Sequence, residues 1–272
     1  MFKGLPQPDR NRLSAMTALV ALTYTLIRIV VLPSLHTEFE IVGLFVRLDI
    51  STRTMMLALA AVITATGADW LIRSHPRYDQ HQSSLEHLVI PGLAALAAGA
   101  VLTRLPEGPA LWIGVPLTAI LLMGVLLAEF IVNDADDPRY DFAAVLLKTL
   151  AFTLLIGVFF VIRSTSMRAI FSVPVIFLSS GAVVWRLQRL DNQEGVRALL
   201  YAGVIGWISA QIGWALHYWP IAPLRYALIL GLLVYIGNGL LDIQREGEFN
   251  RARWTELVIV GSSGLLAILL LT

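Results

Sequence analysis

The chain contains no cysteine in its 272 residues. Disulfides, thiolate nucleophiles, iron–sulfur clusters and cysteine-bearing zinc sites are therefore excluded, and the redox compartment stays open. Charge is scarce too: Asp, Glu, Lys and Arg make up 14% of the residues, against roughly a quarter in soluble domains. Lysine is nearly missing, since only Lys3 and Lys148 accompany the arginines among the 20 basic residues. No basic tract interrupts the sequence, so nucleic acid is not an expected partner.

Apolar sequence is what the chain has in excess. Hydrophobic residues make up 57% of it, and the mean hydropathy is +0.74. Several runs reach the roughly 20 residues needed to cross a hydrocarbon core of about 30 Å. These runs predict an all-α, polytopic transmembrane helix bundle of about nine spans, at 13–34, 54–73, 87–104, 110–132, 142–163, 168–188, 197–217, 222–242 and 254–271. The third and ninth are short, which leaves an eight-span version open. The N-terminal segment resembles a signal peptide only in outline. Its apolar stretch is too long, carries Arg28 and lacks a small-residue cleavage site, so it is expected to be a retained first helix. Connectors are short and no linker or repeat divides the chain, which predicts one integral membrane domain over 1–272.

Orientation follows from basic residues in the loops. With the N-terminus cytoplasmic, twelve fall inside (Lys3, Arg10, Arg12, Arg73, Arg77, Arg139, Arg186, Arg189, Arg197, Arg245, Arg251, Arg253). Six fall outside: Arg47, Arg53, Arg104, Arg163, Arg168 and Arg225. Trp70, Trp112, Trp185, Trp219 and Trp254 mark span ends, where indole rings favour the headgroup level. Between spans one and two, Leu44, Val46, Leu48 and Ile50 alternate with Phe45, Arg47 and Asp49. That period of two predicts a short outer β-like segment turning near Gly43; a short interfacial helix is the alternative.

The segments GADWLIRSHP (67–76), LVIPGLAALAAGA (88–100), DPRYDFAAVLLKTLAF (137–152) and GWALHYWPIAPLRYALILGLLVYIGNGL (213–240) occur in this order over most of the chain. Together they resemble an uncharacterised, domain-of-unknown-function family of multi-pass membrane proteins found mainly in green non-sulfur-type bacteria. The resemblance implies the architecture and a bacterial cytoplasmic membrane, and it implies no activity.

The polar residues inside this apolar frame are the functional candidates. Glu129 lies about one turn inside span four and Lys148 about two turns inside span five. Adjacent antiparallel helices put them at comparable depth, so a buried ion pair is expected, because either charge left alone is costly. Between them Asn133, Asp134, Asp137 and Asp141 spell N-D-x-x-D-x-x-x-D, a spacing able to hold Mg²⁺ and through it a diphosphate. The motif resembles the first aspartate motif of UbiA-type intramembrane prenyltransferases. That resemblance implies metal-diphosphate ligands at these four positions, with Asp242, Glu246 and Glu248 approximating a second motif. Two departures stand against it. The first motif follows the fourth span here and the second in that family, and the second motif reads DIQREGE in place of DxxxD.

Span seven carries two patterns. Gly203, Gly206, Ala210 and Gly213 form a face of small residues for close helix approach. Trp207, Gln211, Trp214 and Tyr218 recur at i, i+4, i+7 and i+11 on another face, a candidate lipid- or pigment-facing stripe. The loop holding His75, Asp79, His81, Glu86 and His87 matches no compact metal-ligand spacing and reads as ordinary cytoplasmic polarity. The expected function is a non-catalytic membrane component that binds lipid, pigment or a partner protein within the membrane. A secondary transporter and a Mg²⁺-dependent prenyl or lipid transferase are the alternatives, and only the last implies a cofactor.

Overall fold

A computed structural model gives the structure of residues 8–29, 35–41, 44–50, 52–78, 85–165, 168–191, 193, 195–246 and 251–270. Each long apolar run forms a helix, the one spanning conformation that satisfies its own backbone. The helices are α1 (Arg10–Ile29), α2 (Thr52–Ile72), α3 (Val89–Arg104), α4 (Pro109–Ile131), α5 (Tyr140–Ser164), α6 (Ala169–Leu190), α7 (Gly195–His217), α8 (Pro223–Glu246) and α9 (Arg251–Leu270).

Eight helices among the described residues are long and apolar enough to cross a membrane. They include the third, lengthened by a 3-10 turn at Leu85–Leu88, and the ninth. Helix α1 is not among these eight. Between α1 and α2 the backbone forms β1 (Leu35–Ile41) and β2 (Leu44–Ile50), paired antiparallel with Leu35 opposite Ile50 and Ile41 opposite Leu44.

The chain divides into two units, Met1–Leu147 and Lys148–Thr272. In the first, α1 packs on α2 and α4, and α2 on α3. Its core joins Ala68, Leu71, Leu126 and Phe130, with Leu13, Met16 and Leu88 against them. Tyr24 crosses to α3, where its hydroxyl donates to the Ala95 carbonyl at 2.6 Å. Gly108 ends the α3–α4 turn at a φ of 141°, a backbone conformation that side chains with a Cβ rarely adopt.

In the second unit α6 and α7 approach closely along Ala202, Gly206, Ser209 and Gly213, all buried. A Cβ on Gly206 would stand 2.8 Å from the Phe177 carbonyl oxygen and 3.4 Å from the Gly181 main chain. A Cβ at Gly203 would meet nothing within 4 Å. The small-residue face therefore runs one position away from where the glycine pattern alone puts it at that end. Arg163 of α5 fixes the next turn by donating to the carbonyls of His217 (2.9 Å), Trp219 (2.7 Å) and Ile221 (3.2 Å).

This geometry predicts opposite outcomes for two glycines three residues apart. Gly206→Ala forces a methyl against fixed main chain, which costs about 1–3 kcal/mol and lowers the thermal unfolding midpoint of the detergent-solubilised protein. Gly203→Ala leaves that midpoint unchanged or raises it, because the site is open and alanine favours helix.

Candidate functional site

In the first unit, polar groups gather where α2, α3 and α4 end on one side. Glu129, near the C-terminus of α4, has no exposed surface, and His87, from the turn that leads into α3, is also buried. The His87 Nδ1 lies 2.8 Å from Glu129 Oε2. Glu86 Oε1 stands 4.0 Å from the other ring nitrogen. The carboxylate thus meets an imidazole from a neighbouring helix start.

The loop after α4 is built by its own aspartates. Asp134 Oδ1 accepts from the Asp136 N–H and Asp137 Oδ1 from the Arg139 N–H, both two residues on, the local turn that aspartate favours. Their remaining capacity goes to guanidinium groups. Arg77 bonds Asp134 and Asp136 at 2.6 Å each. Arg139 grips Asp137 through Nε and Nη2 at 2.9 and 2.6 Å and holds its carboxyl below the usual carboxylate range. Asn133 Nδ2 is buried without an acceptor among the described residues, and Asp141 sits in the first turn of α5. Among the described residues no group of three or more His, Asp or Glu is placed to hold a metal ion. Asp79, His81, Glu248 and the side chain of Glu246 lie outside the described residues.

His75, just beyond α2, is buried edge-on against Phe130 at 4.6 Å between ring centroids. Its Nδ1 accepts the Arg77 N–H at 3.1 Å, so the ring is held as the neutral form.

The second unit carries a different centre. Lys148, two turns into α5, bonds both oxygens of Asp191 at the end of α6, at 2.7 and 3.0 Å. Glu129 and Lys148, expected to pair with one another, each have a partner inside their own unit. Alongside Lys148 runs an amide chain: Gln188 Nε2 donates to Asn238 Oδ1 (3.0 Å) and Asp242 Oδ1 (3.2 Å), and Asn238 Nδ2 donates to Asp242 Oδ2 (3.2 Å). Asp242 and Asn238 stand one turn apart on α8, which aims both at the same neighbours.

These groups wall a cavity of about 240 Å³ lined by Lys148, Tyr235, Asn238, Asp242, Arg253 and Glu256. Directly beside it, an apolar groove of about 390 Å³ follows α5, α8 and α9 past Ile156, Leu228, Gly231, Leu232, Gly264 and Ile268. Thr149, Phe152 and Tyr235 line both, so the polar cavity and the apolar groove adjoin. From Glu256 to Ile268 the α9 axis advances about 18 Å, comparable to half a bilayer core. Lys148 and Asp242 were legible as in-membrane charges. Glu256, entering span nine from the same side as Tyr235, Asn238 and Asp242, was legible at that depth as well; the roles of Arg253 and of Gly231 and Gly264 were not, because only packing brings them to one wall.

The stripe of Trp207, Gln211, Trp214 and Tyr218 faces outward from α7, with the three aromatic residues 61%, 52% and 74% exposed.

One titration follows from the His75 geometry. Burial pushes the His75 imidazole down from its ordinary value, against the pull of Asp134 and Asp137. A histidine depressed in the folded state stabilises above its unfolded pKa of about 6.5 and loses that contribution as pH falls through the folded value. The thermal midpoint is therefore expected to drop between pH 7 and about pH 5. His75→Asn, which keeps an acceptor for the Arg77 N–H and cannot titrate, should flatten that slope; an unchanged slope counts against the assignment.

No curated protein and no solved structure matches the chain. A family described as proteins of unknown function, DUF5656, matches residues 32–271. That match runs from ahead of β1 to the last residues of the chain, and the protein accordingly belongs to the DUF5656 family.

Proposed function

We propose that the protein is a non-catalytic component of a bacterial cytoplasmic membrane that holds a lipid in the cavity and groove bounded by α5, α8 and α9. One observation carries this reading: a cavity walled by charged and amide groups adjoins an apolar groove along the same three helices, with Thr149, Phe152 and Tyr235 lining both. A polar head with an acyl tail fits such a shape, and a wholly apolar or wholly water-soluble molecule does not. The groove has an outlet on the protein surface at Thr153 and Ala267, both exposed, from which a chain can enter from the bilayer. The exposed aromatic stripe on α7 is a further lipid-facing surface. The polar end belongs to the cytoplasmic side, the N-terminus is cytoplasmic, and the β-hairpin covers the outer side; the excess of basic residues in the corresponding loops supports that orientation.

Purified protein should retain lipid through size exclusion, measured by native mass spectrometry. Thr153→Trp, which fills the groove from its exposed edge, is expected to reduce the retained lipid at least severalfold without moving the thermal midpoint of lipid-free protein. Retention unaffected by this substitution would sink the proposal. Because the chain lacks cysteine, orientation is testable separately with single cysteines. Arg12→Cys should resist, and Glu107→Cys, exposed in the same turn as Gly108, accept, an impermeant maleimide added to right-side-out membranes, and the reverse pattern inverts the topology.

A further inference from the structure

We infer that two copies of this chain pair through α7, with the Gln211 side chains of the two copies hydrogen-bonded to each other inside the membrane. The α7 stripe that a single protomer turns to lipid is not uniformly apolar. Gln211 is exposed on it and stands about six residues, or 9 Å, inside the helix end at His217. Among the described residues its amide has no hydrogen-bond partner. Trp207, one turn further in, is exposed, and its indole N–H likewise has no acceptor among the described residues. Other exposed polar side chains of the spanning helices differ. The hydroxyls of Thr66, Thr153, Ser262 and Ser263 each donate to a main-chain carbonyl of their own helix.

An amide in hydrocarbon with neither donor nor acceptor matched is costly. Lipid tails supply neither, and a glutamine in a membrane helix is satisfied by a polar group of another helix. The opposite face of α7 is already taken, packed on α6 through Ala202, Gly206, Ser209 and Gly213. The partner therefore comes from outside the protomer, and a second copy supplies it. An amide carries both an acceptor and a donor group, so two glutamines side by side exchange two hydrogen bonds. Copies inserted with the same topology hold Gln211 at the same depth, and a two-fold axis along the membrane normal makes the two meet. The second lone pair of each amide oxygen is then open to a Trp207 indole N–H, one turn away. Leu200, Trp207 and Trp214 follow at seven-residue intervals along the same stripe, all exposed, the repeat that keeps two helices in contact along one seam.

The test uses the full-length protein twice. In detergent at graded protein-to-detergent ratios, native mass spectrometry reads the fraction at twice the 29.9 kDa chain mass. Gln211→Leu is expected to raise the dimer dissociation constant about tenfold, the change that hydrogen bonding between membrane helices supports, without moving the thermal midpoint of the monomer. In native membranes, single cysteines are oxidised with copper–phenanthroline. Trp214→Cys, on the stripe one turn from Gln211, should give a disulfide-linked dimer; Val258→Cys, exposed on α9, should not. A monomer at every ratio, bare or lipid-bound, overturns the inference. So does a complex with a different chain, a dimer whose dissociation constant ignores Gln211→Leu, or cross-linking that does not distinguish the two cysteines. Should Gln211→Leu disturb folding, the cysteine pair, which keeps Gln211, decides alone.

Discussion

A charge inside an apolar helix must be met, at its own depth, by a group from another helix, because lipid offers nothing to replace water. Much of the polar architecture of this protein answers that constraint. Glu129, wholly buried, meets the imidazole of His87. Lys148 meets Asp191. In both cases the partner sits at a helix terminus, where the chain can present a polar side chain without giving up spanning length. In the aspartate-rich loop after α4, Asp134, Asp136 and Asp137 are held by two arginines, Arg77 and Arg139, and by turns of their own backbone.

The constraint also shows what a sequence reveals of such a protein. Helix positions were legible almost throughout, since an apolar run of sufficient length has one spanning solution, and α2 through α9 lie close to the runs that predict them. Depth was legible as well. Counting turns from the loops places Glu129 and Lys148 near the same membrane face, but the same count places His87 and Asp191 there too. What a linear pattern lacks is the angular position of each helix about its neighbours, and that angle decides which residues at a given depth touch. The α7 face illustrates the point from the packing side: Gly203 belongs to the glycine pattern, yet the close contact runs through Ala202, Gly206, Ser209 and Gly213. For the same reason the cavity was invisible, since Lys148 on α5 lies far along the chain from Asp242 and Glu256 on α8 and α9.

Glycine gives the groove its room. Gly231 and Gly264 lie on facing helices, and a Cβ on either would strike Ile156 or Leu232. Close approach and an apolar channel therefore depend on the same two missing side chains, while the polar end owes its form to three amide-and-acid residues held in one network.

The two basic residues of α5 also set an order of assembly. Lys148 near one end finds its carboxylate only after α6 has been made, and Arg163 near the other finds its three carbonyl acceptors only in the turn between α7 and α8. As the chain emerges from the ribosome, α5 enters the bilayer carrying two charges whose partners have yet to be synthesised. The helix must wait, shielded by the insertion machinery or by lipid phosphates, until some 60 further residues arrive. A nascent chain that ends within α7 thus lacks the Trp219 and Ile221 carbonyls that Arg163 meets in the finished fold.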